Sequence, residues 1–263
     1  MTHRLRSLNW ALTLLLGLPL VLLPPPLASV AAELVEIQAR GRLIVAVKDN
    51  VRPLGFRDAA GNLQGFEIDL ARQLAAELLG DPAAVELRPV RNRDRLLAVI
   101  NDEVDLAIAR LTATPSRARL VDFSRPYYFD GTGFVGRQGT IQRLGDLVNR
   151  RVLVLENSST IAVVRHALPQ VELVGVDSYQ AALAQLEAGQ AVAFAADQSL
   201  LAGWVQDNPS YQLLPTRLQV TGLAVALPRG LQYVELRREV NAAIARWQLS
   251  GWLTERREYW GLP

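Results

Sequence analysis

The sequence predicts an α/β fold built from two similar units, each with a mostly parallel β-sheet flanked by helices. Three observations support this prediction. An apolar, β-branched run lies at residues 43–47, strand-like and helix-like segments alternate from there to residue 109, and the same alternation returns between residues 151 and 195. Strands that alternate with helices form parallel sheets, because each return to the same sheet edge needs a crossover connection.

The first unit begins with Leu43–Val47, whose continuous apolar composition is typical of a strand buried on both faces. A helix follows in which apolar residues recur every three or four positions, and Gly80 with Pro82 beyond it predicts its end. The remaining predicted elements of this unit are a strand over 85–90, a helix over 94–100 and a strand over 104–109.

The second unit repeats that order, and further elements follow it. Its predicted elements are a strand over 151–155, a helix over 160–168, a strand over 171–174, a helix over 177–188 and a strand over 191–195. Asp177 is the predicted N-cap of the second helix and Gly189 its end. Residues 223–227 predict one more strand, and two terminal helices separated by Gly251 follow.

The first 31 residues have the composition of a secretory signal peptide. Arg4 and Arg6 precede an apolar run over residues 8–23, and three prolines and several small residues follow. The alternative is a transmembrane anchor, which the shortness of the run and its internal glycine and proline disfavour. No other stretch is long and apolar enough to span a bilayer, so we expect an exported protein in the periplasm.

Composition excludes several classes of function. The chain has 28 basic and 26 acidic residues. The predicted signal removes two basic residues and no acid, and the near-neutral remainder argues against a nucleic-acid partner. The absence of cysteine excludes disulfides, thiol catalysis and lipidation at an N-terminal cysteine. His3 and His166 are the only histidines, which excludes a zinc site with several Cys or His ligands. We interpret His166 as an ordinary surface residue and expect a soluble monomer without cofactor or metal.

A turn after the third strand of the first unit carries a candidate anion site. Thr114 can cap a short helix that begins at Pro115, which leaves Arg117 in the first helical turn. A cation is unfavourable at the N-terminus of a helix, so an arginine at this position is better explained by an anion that its guanidinium binds. An ion pair with Asp122 is the alternative, and the spacing leaves both open.

Two further candidates follow strand ends in the second unit. Ser158 and Ser159 offer hydroxyl groups at a predicted helix N-terminus, although serines there are also common as plain caps. Asp197 follows the last strand of the unit, where it could pair with an ammonium group or cap the next helix. Ligands of such sheets bind beyond the carboxyl ends of the strands. Together with Arg117, these residues would recognise a zwitterion.

The ordered motifs of the chain resemble those of the family 3 solute-binding proteins, the polar amino-acid receptors of ABC importers. The similarity covers nearly all of the chain after the predicted signal. It is carried by residues 41–47 (GRLIVAV), 61–70 (GNLQGFEIDL), 104–108 (VDLAI), 111–117 (LTATPSR), 121–128 (VDFSRPYY), 240–244 (VNAAI) and 250–251 (SG).

The resemblance implies roles for individual residues. In that family the arginine of the T-x-x-R turn binds the ligand carboxylate, which corresponds to Arg117, and a hydroxyl residue corresponding to Thr112 assists it. Ser158 and Ser159 match the serines that follow the first strand of the second lobe. Asp197 matches the acid that holds the α-amino group of the ligand.

The resemblance also implies an architecture and a function. The fold is the type II periplasmic-binding-protein fold, with two lobes joined by two crossing strands near residues 128–135 and 219–222. Lobe 1 would comprise residues 32–132 and 221–263, and lobe 2 residues 133–220. The protein would close around a free amino acid and deliver it to the permease subunits of an ABC importer.

The charges around the inferred side-chain pocket favour an acidic ligand, glutamate or aspartate. Lys48, Arg52 and Arg110 bring positive charge to the loops of lobe 1, and Asn92 begins an Asn-Arg pair like that of acidic-amino-acid receptors. Asn92 also stands where many relatives stack an aromatic ring. The alternative is that Arg52 and Arg110 point to solvent and Glu156 neutralises Lys48, in which case a neutral polar ligand such as glutamine would fit.

Two other classes of function compete with transport. Some relatives of this fold are periplasmic dehydratases of the cyclohexadienyl or arogenate type, which act on prephenate-like acids. Glu156 or Asp197 could serve as the positioned acid that such chemistry needs. A sensor domain of a larger signalling chain is the third class, disfavoured because no apolar segment after the signal could span a membrane. We expect a receptor and not an enzyme.

Overall fold

The computed structural model describes residues 33–156 and 158–263. The predicted signal peptide and Asn157 lie outside the described residues. The helices of the described part are α1 (Leu34–Arg40), α2 (Phe66–Leu79), α3 (Arg95–Ile100), α4 (Thr160–Ala167), α5 (Tyr179–Glu187), α6 (Gln198–Asp207), α7 (Val234–Ser250) and α8 (Trp252–Tyr259). Within those residues, no helix is both long and apolar enough to cross a bilayer.

The strands run in chain order from β1 to β12. They are β1 (Leu43–Val47), β2 (Asn50–Val51), β3 (Gly55–Arg57), β4 (Leu63–Gln64), β5 (Val85–Pro89), β6 (Leu106–Ile108), β7 (Asp122–Arg137), β8 (Arg151–Leu155), β9 (Glu172–Val176), β10 (Ala193–Asp197), β11 (Tyr211–Leu213) and β12 (Leu218–Leu227). Single 3-10 turns lie at Arg117–Arg119, Leu144–Leu147 and Leu231–Tyr233.

Nine of these strands form one mixed sheet in the order β5-β1-β6-β12-β7-β10-β8-β9, with β11 paired to β7. β5, β1 and β6 are parallel to one another, and so are β10, β8 and β9. Between the two parallel triplets lie β12 and β7, which are antiparallel to each other and to their neighbours β6 and β10. The predicted α/β architecture with two parallel units is confirmed.

The inner parallel strands β1 and β6 are buried on both faces, as their continuous apolar sequences predict, whereas the edge strands β5 and β9 are partly exposed. All five residues of β1 and all three of β6 are buried. The described residues form four buried apolar clusters. Two of them consist of residues from 37–128 and 223–262, with Ala202 as an addition. The other two consist of residues from 134–214. The core therefore divides between the two triplets, since helices cover each triplet on both sides.

The strands β7 and β12 are the only long strands of the described part, and they cross from one triplet to the other. Asp130 pairs with Thr221 and Thr132 with Leu218 across the two strands. At Gly131 a Cβ atom would lie 2.8 Å from the carbonyl oxygen of Leu218, so the approach of the two backbones needs glycine there. The two segments predicted to link the lobes thus lie in one antiparallel pair.

Several predicted boundaries are wrong by a few residues. The N-cap of α5 is Ser178 and not Asp177, because the Ser178 hydroxyl accepts a hydrogen bond from the Ala181 amide at 3.1 Å. The helical turn near Arg117 begins at Arg117 and not at Pro115. The last strand of the second triplet begins two residues later than predicted and ends on Asp197 itself.

Other elements carry no clear sequence signal. The strands β2, β3 and β4 form a separate small sheet of two- and three-residue strands, too short to show a period of two. Helix α6 follows β10 without an intervening loop. It packs so closely on the loop after β2 that a side chain at Gly203 would overlap the Arg52 carbonyl. The need for glycine at position 203 therefore comes from this contact between α6 and the loop after β2, which the sequence alone does not show.

Candidate functional site

An open cleft of about 960 Å³ lies beside the crossing strands, between the carboxyl ends of the two parallel triplets. One wall comes from the loop after β6 and from α3, and the opposite wall from α4 and the end of β10. We call the first wall the β6 half-site, with Arg95, Arg110, Thr112 and Arg117. We call the second the α4 half-site, with Ser159 and Asp197 in the cleft lining and Ser158 next to Ser159 at the start of α4.

Arg117 lines the cleft from the β6 half-site and has no acidic partner among the described residues. Its Nη1 donates to the carbonyl oxygen of Thr112 at 3.0 Å, and its amide donates to the Thr114 hydroxyl at 3.4 Å. Asp122, the alternative partner, forms an ion pair with Arg237 instead. The remaining donors of the Arg117 guanidinium are therefore available to an anion in the cleft.

Asp197 lies on the opposite wall, as the last residue of β10 and the residue before α6. Its side chain makes no capping hydrogen bond to α6, so the capping interpretation fails. It forms an ion pair with Arg110 instead, which reaches across the cleft from the loop after β6. The alternative in which Arg110 points to solvent is not what the structure shows.

The two serines lie at the start of α4 and do not act as helix caps. Ser159 is exposed and lines the cleft, and its side chain makes no capping hydrogen bond. The Ser158 hydroxyl is buried without a hydrogen-bond partner in the described part of the chain. An unpaired buried hydroxyl is unusual, because buried polar groups normally have a hydrogen-bond partner.

Besides Ser158, three predicted residues lie outside the cleft lining. Lys48 is 3 % exposed, and its Nζ donates to the carbonyl oxygen of Val90 at 2.5 Å. Burial, and then the charge of Arg95, lower the pKa of the Lys48 ammonium. Asn92 is exposed, and its carbonyl oxygen accepts from the Nε of Arg95 at 3.0 Å.

The third of these residues is Arg52, whose side chain makes its contacts outside the cleft lining. Its guanidinium lies over the ring of Phe56, 3.9 Å from the centroid, and 3.9 Å from the Asp207 carboxylate. The Arg52 guanidinium therefore has partners of its own, the Phe56 ring and the exposed Asp207 carboxylate. The positive charge in the cleft therefore comes from other arginines than Arg52.

Arg95 is a cleft residue that the sequence reasoning missed. Its Nη1 donates to the carbonyl oxygens of Ala109 at 2.8 Å and Arg110 at 2.7 Å. Burial, and then the charges of Arg110 and Arg117, lower the pKa of its guanidinium. Three arginines thus converge on one wall. The sequence offered little signal for Arg95, because its helix is short and other arginines are exposed nearby.

Glu67 supports the same wall from behind. It is fully buried, and its Oε1 accepts from the Arg110 amide at 2.7 Å and from the Tyr127 hydroxyl at 2.6 Å. Its other oxygen has no partner among the described residues, and burial raises the pKa of the carboxyl. Arg110 has a φ of +51°, in the left-handed region that few non-glycine residues adopt. Glu67 and Arg95 together hold the backbone of Arg110 in that conformation.

His166 also lines the cleft, from the exposed face of α4. The interpretation of this residue as an ordinary surface histidine was incomplete, since it is exposed but faces the cleft. Asp130 lies at the base and is already engaged, because it accepts from the Ser199 hydroxyl at 2.5 Å and the Ser199 amide at 3.0 Å. Its contacts anchor the start of α6 to β7.

The family model for "Bacterial extracellular solute-binding proteins, family 3" matches residues 43–263. The glutamine-binding protein of Geobacillus stearothermophilus is 34% identical over 182 residues, which cover 68% of this chain and 70% of that protein. Among solved structures, the receptor for L-cysteine of Neisseria gonorrhoeae is 31% identical with a TM-score of 0.65, covering 87% of this chain and 93% of that one.

A third similar protein is an ancestral amino-acid-binding protein described as a precursor of cyclohexadienyl dehydratase. It is 27% identical with a TM-score of 0.66, covering 87% of this chain and 99% of that one. The chain belongs to the bacterial extracellular solute-binding proteins of family 3 and has their type II periplasmic-binding-protein fold.

Proposed function

We propose that this protein is the periplasmic receptor of an amino-acid ABC importer, which captures a free L-amino acid in the cleft and delivers it to the permease subunits. The observation that carries the proposal is the pairing of unlike groups across the cleft. Among the described residues Arg117 has no acidic partner on one wall, and the Asp197 carboxylate lies on the other. An α-amino acid carries the two complementary charges on one carbon atom.

Each end of the ligand has its own set of partners in this proposal. Arg117 binds the α-carboxylate in a bidentate pair, and Thr112 lies beside it in the same wall. The hydroxyls of Ser158 and Ser159 and the amides at the start of α4 complete the carboxylate site. Asp197 binds the α-ammonium group. Charge-assisted hydrogen bonds of this kind are stronger than those between neutral groups.

Two lobes that close on the ligand complete the proposal. Lobe 1 comprises residues 32–132 and 221–263, and lobe 2 residues 133–220. The division of the apolar clusters on either side of β7 and β12 supports these bounds, with Ala202 of α6 as the exception. Because the half-sites lie on different lobes, binding both ends of one ligand favours closure about the crossing strands.

We propose an acidic ligand, glutamate or aspartate, with glutamine as the next candidate. Support comes from the concentration of cationic side chains in the β6 half-site, where Arg95, Arg110 and Arg117 line one wall. The buried position of Lys48 removes it from direct contact and limits its effect to the local field. A wall of this charge disfavours lysine and arginine as ligands, because like charges would be desolvated together.

Competition calorimetry with glutamate, glutamine and arginine tests both the receptor function and the preference for an acidic ligand. We expect glutamate to bind most tightly and arginine not to displace it. Small-angle scattering should show a smaller radius of gyration with saturating glutamate, as lobe closure requires. Tight arginine binding contradicts the acidic assignment, and failure of all twenty amino acids to bind contradicts the receptor assignment.

The relation to an ancestor of a dehydratase supports a second candidate, a periplasmic dehydratase acting on prephenate or arogenate. That chemistry needs a positioned proton donor. Asp197 is ion-paired with Arg110, and an aspartate held by an arginine accepts hydrogen bonds and donates poorly. Turnover of prephenate, followed by absorbance of the aromatic product, distinguishes the two functions. We expect none.

A further inference from the structure

The Arg110–Asp197 ion pair joins the two walls of the cleft. Arg110 follows β6 on one wall, and Asp197 ends β10 on the other. The two side chains are 21% and 34% exposed, so the pair is only partly accessible to bulk water. Asp197 is also the residue proposed to bind the ligand ammonium group. The structure thus places a guanidinium where the proposal requires the ammonium group of a ligand.

The backbone of Arg110 cannot easily move away from this position. Its amide donates to buried Glu67 at 2.7 Å, its carbonyl oxygen accepts from Arg95 at 2.7 Å, and its φ is +51°. The Nε of its side chain is buried and has no hydrogen-bond partner in the described ranges. The backbone of Arg110 therefore stays in place when Asp197 is taken by another cation, and the guanidinium must find its next partner within reach of the side chain.

Charges in the cleft then determine which ligand fits. An ammonium group that takes Asp197 leaves Arg110 beside Arg95 and Arg117, with a donor that lacks a partner. A buried guanidinium without an anion is unfavourable. A ligand with a second carboxylate supplies that anion, whereas a neutral side chain leaves the guanidinium unpaired.

We propose that Arg110 exchanges partners when ligand binds: the ligand ammonium displaces it from Asp197, and it then pairs with a second carboxylate of the same ligand. This inference rests on the proposed function and deepens it. The exchange makes Arg110 a specificity-determining residue, because the unliganded protein satisfies it internally and only a dicarboxylic amino acid satisfies it again. The same ion pair holds the walls together before ligand arrives.

The test uses Arg110→Met, which removes the charge and keeps much of the bulk. Calorimetry should show a loss of glutamate affinity of roughly thirtyfold or more, the range for truncating a buried charge pair. Glutamine affinity should stay the same or rise, because the ammonium group of glutamine no longer has to displace a guanidinium from Asp197. Without ligand, the variant should have a larger radius of gyration than the parent, since the bridge between the walls is lost.

Two further variants control for folding and for charge. Arg110→Gly suits the positive φ and keeps the amide that Glu67 binds, so it should fold and give the same change in selectivity. Arg119→Met removes an exposed arginine outside the cleft lining and should bind both ligands as the parent does. Thermal unfolding of each variant establishes that it is folded.

The outcomes separate this inference from the function on which it rests. If the parent binds glutamate and Arg110→Met binds it equally well, the exchange is wrong and the receptor assignment stands. An equal loss of glutamate and glutamine, or a parent that prefers glutamine, also overturns the exchange. A parent that binds no amino acid overturns the receptor assignment and the exchange with it.

Discussion

The two half-sites hold their polar groups in different ways. In the β6 half-site, Arg95 and Arg110 are held by hydrogen bonds to carbonyl oxygens and to a buried carboxylate. In the α4 half-site, the hydroxyl groups of Ser158 and Ser159 make no hydrogen bonds to the described protein. One wall is therefore formed before ligand arrives, and the other keeps unsatisfied groups that a ligand completes.

This difference suggests an order of events. A ligand meets Arg117 on the preformed wall first, since Arg117 needs no rearrangement; the exchange at Arg110 and closure of the second wall then follow. Substitution of Arg117 in the β6 half-site should therefore cost the most affinity. Substitution of the serines in the α4 half-site should weaken binding and leave the unliganded protein unchanged.

The largest expected effect comes from Arg117→Ala. Loss of a charge-assisted pair from the complex costs about 2–5 kcal/mol, which lowers the affinity for amino acids at least thirtyfold. Calorimetry with glutamate measures it, and Arg119→Ala, an exposed arginine two residues away, is the matched control. Should Arg117→Ala bind glutamate like the parent, the carboxylate site lies elsewhere and the comparison of the walls fails.

Glu67→Gln tests the support behind the same wall. The variant keeps Oε1, which accepts from Tyr127 and Arg110, and replaces only the oxygen without a partner. Burial raises the pKa of Glu67 above its ordinary 4.5, so between the unfolded and folded pKa values the folded state holds a proton that the unfolded state releases. That stabilisation is complete below pH 4.5 and is lost as pH rises through the folded-state pKa.

We therefore expect the free energy of unfolding of Glu67→Gln, relative to the parent, to increase as pH rises from 4.5. The increase can reach at most about 1.4 kcal/mol per pH unit for a single proton. Urea unfolding of both proteins at several pH values measures the difference. A difference that does not change with pH would mean that Glu67 stays ionised in the folded state.

Ser158→Ala gives the smallest expected effect and probes the other wall. Its hydroxyl has no partner without ligand, so the stability of the unliganded protein should stay the same or rise slightly. Ligand binding should weaken by about 0.5–1.5 kcal/mol, the usual contribution of one hydrogen bond. Chemical unfolding and calorimetry measure the two quantities. A loss of stability without loss of affinity would show that Ser158 has a structural role.

Much of the fold is readable in the sequence because its signals are local. The run over Leu43–Val47 is apolar enough to identify a strand buried on both faces, and Gly80 and Gly251 end their helices with positive φ as predicted. The short strands β2, β3 and β4 and the start of α6 were not predicted, because their positions depend on neighbours distant in sequence.

The site was only partly readable for the same reason. The T-x-x-R turn and the acid at the end of β10 pointed to Arg117 and Asp197, which both line the cleft, because local pattern reveals the strand ends near them. The sequence did not point to Arg95, whose guanidinium donates to the Ala109 carbonyl oxygen. Lys48 was expected to bring positive charge to the side-chain pocket, but its ammonium group donates to the Val90 carbonyl oxygen instead. Which of many arginines faces the cleft depends on how helices pack, and a single sequence carries no local signal for that.

The sequence by itself determined the repeated alternation of strands and helices, the family motifs and the turn that carries Arg117. Those features follow from hydrophobic periodicity and from helix ends, which act over a few residues. The tertiary structure alone decided that Arg110 reaches Asp197 across the cleft and that Glu67 supports it from behind. Those contacts join residues 87 and 43 positions apart, because they form only when the two triplets and α2 pack together.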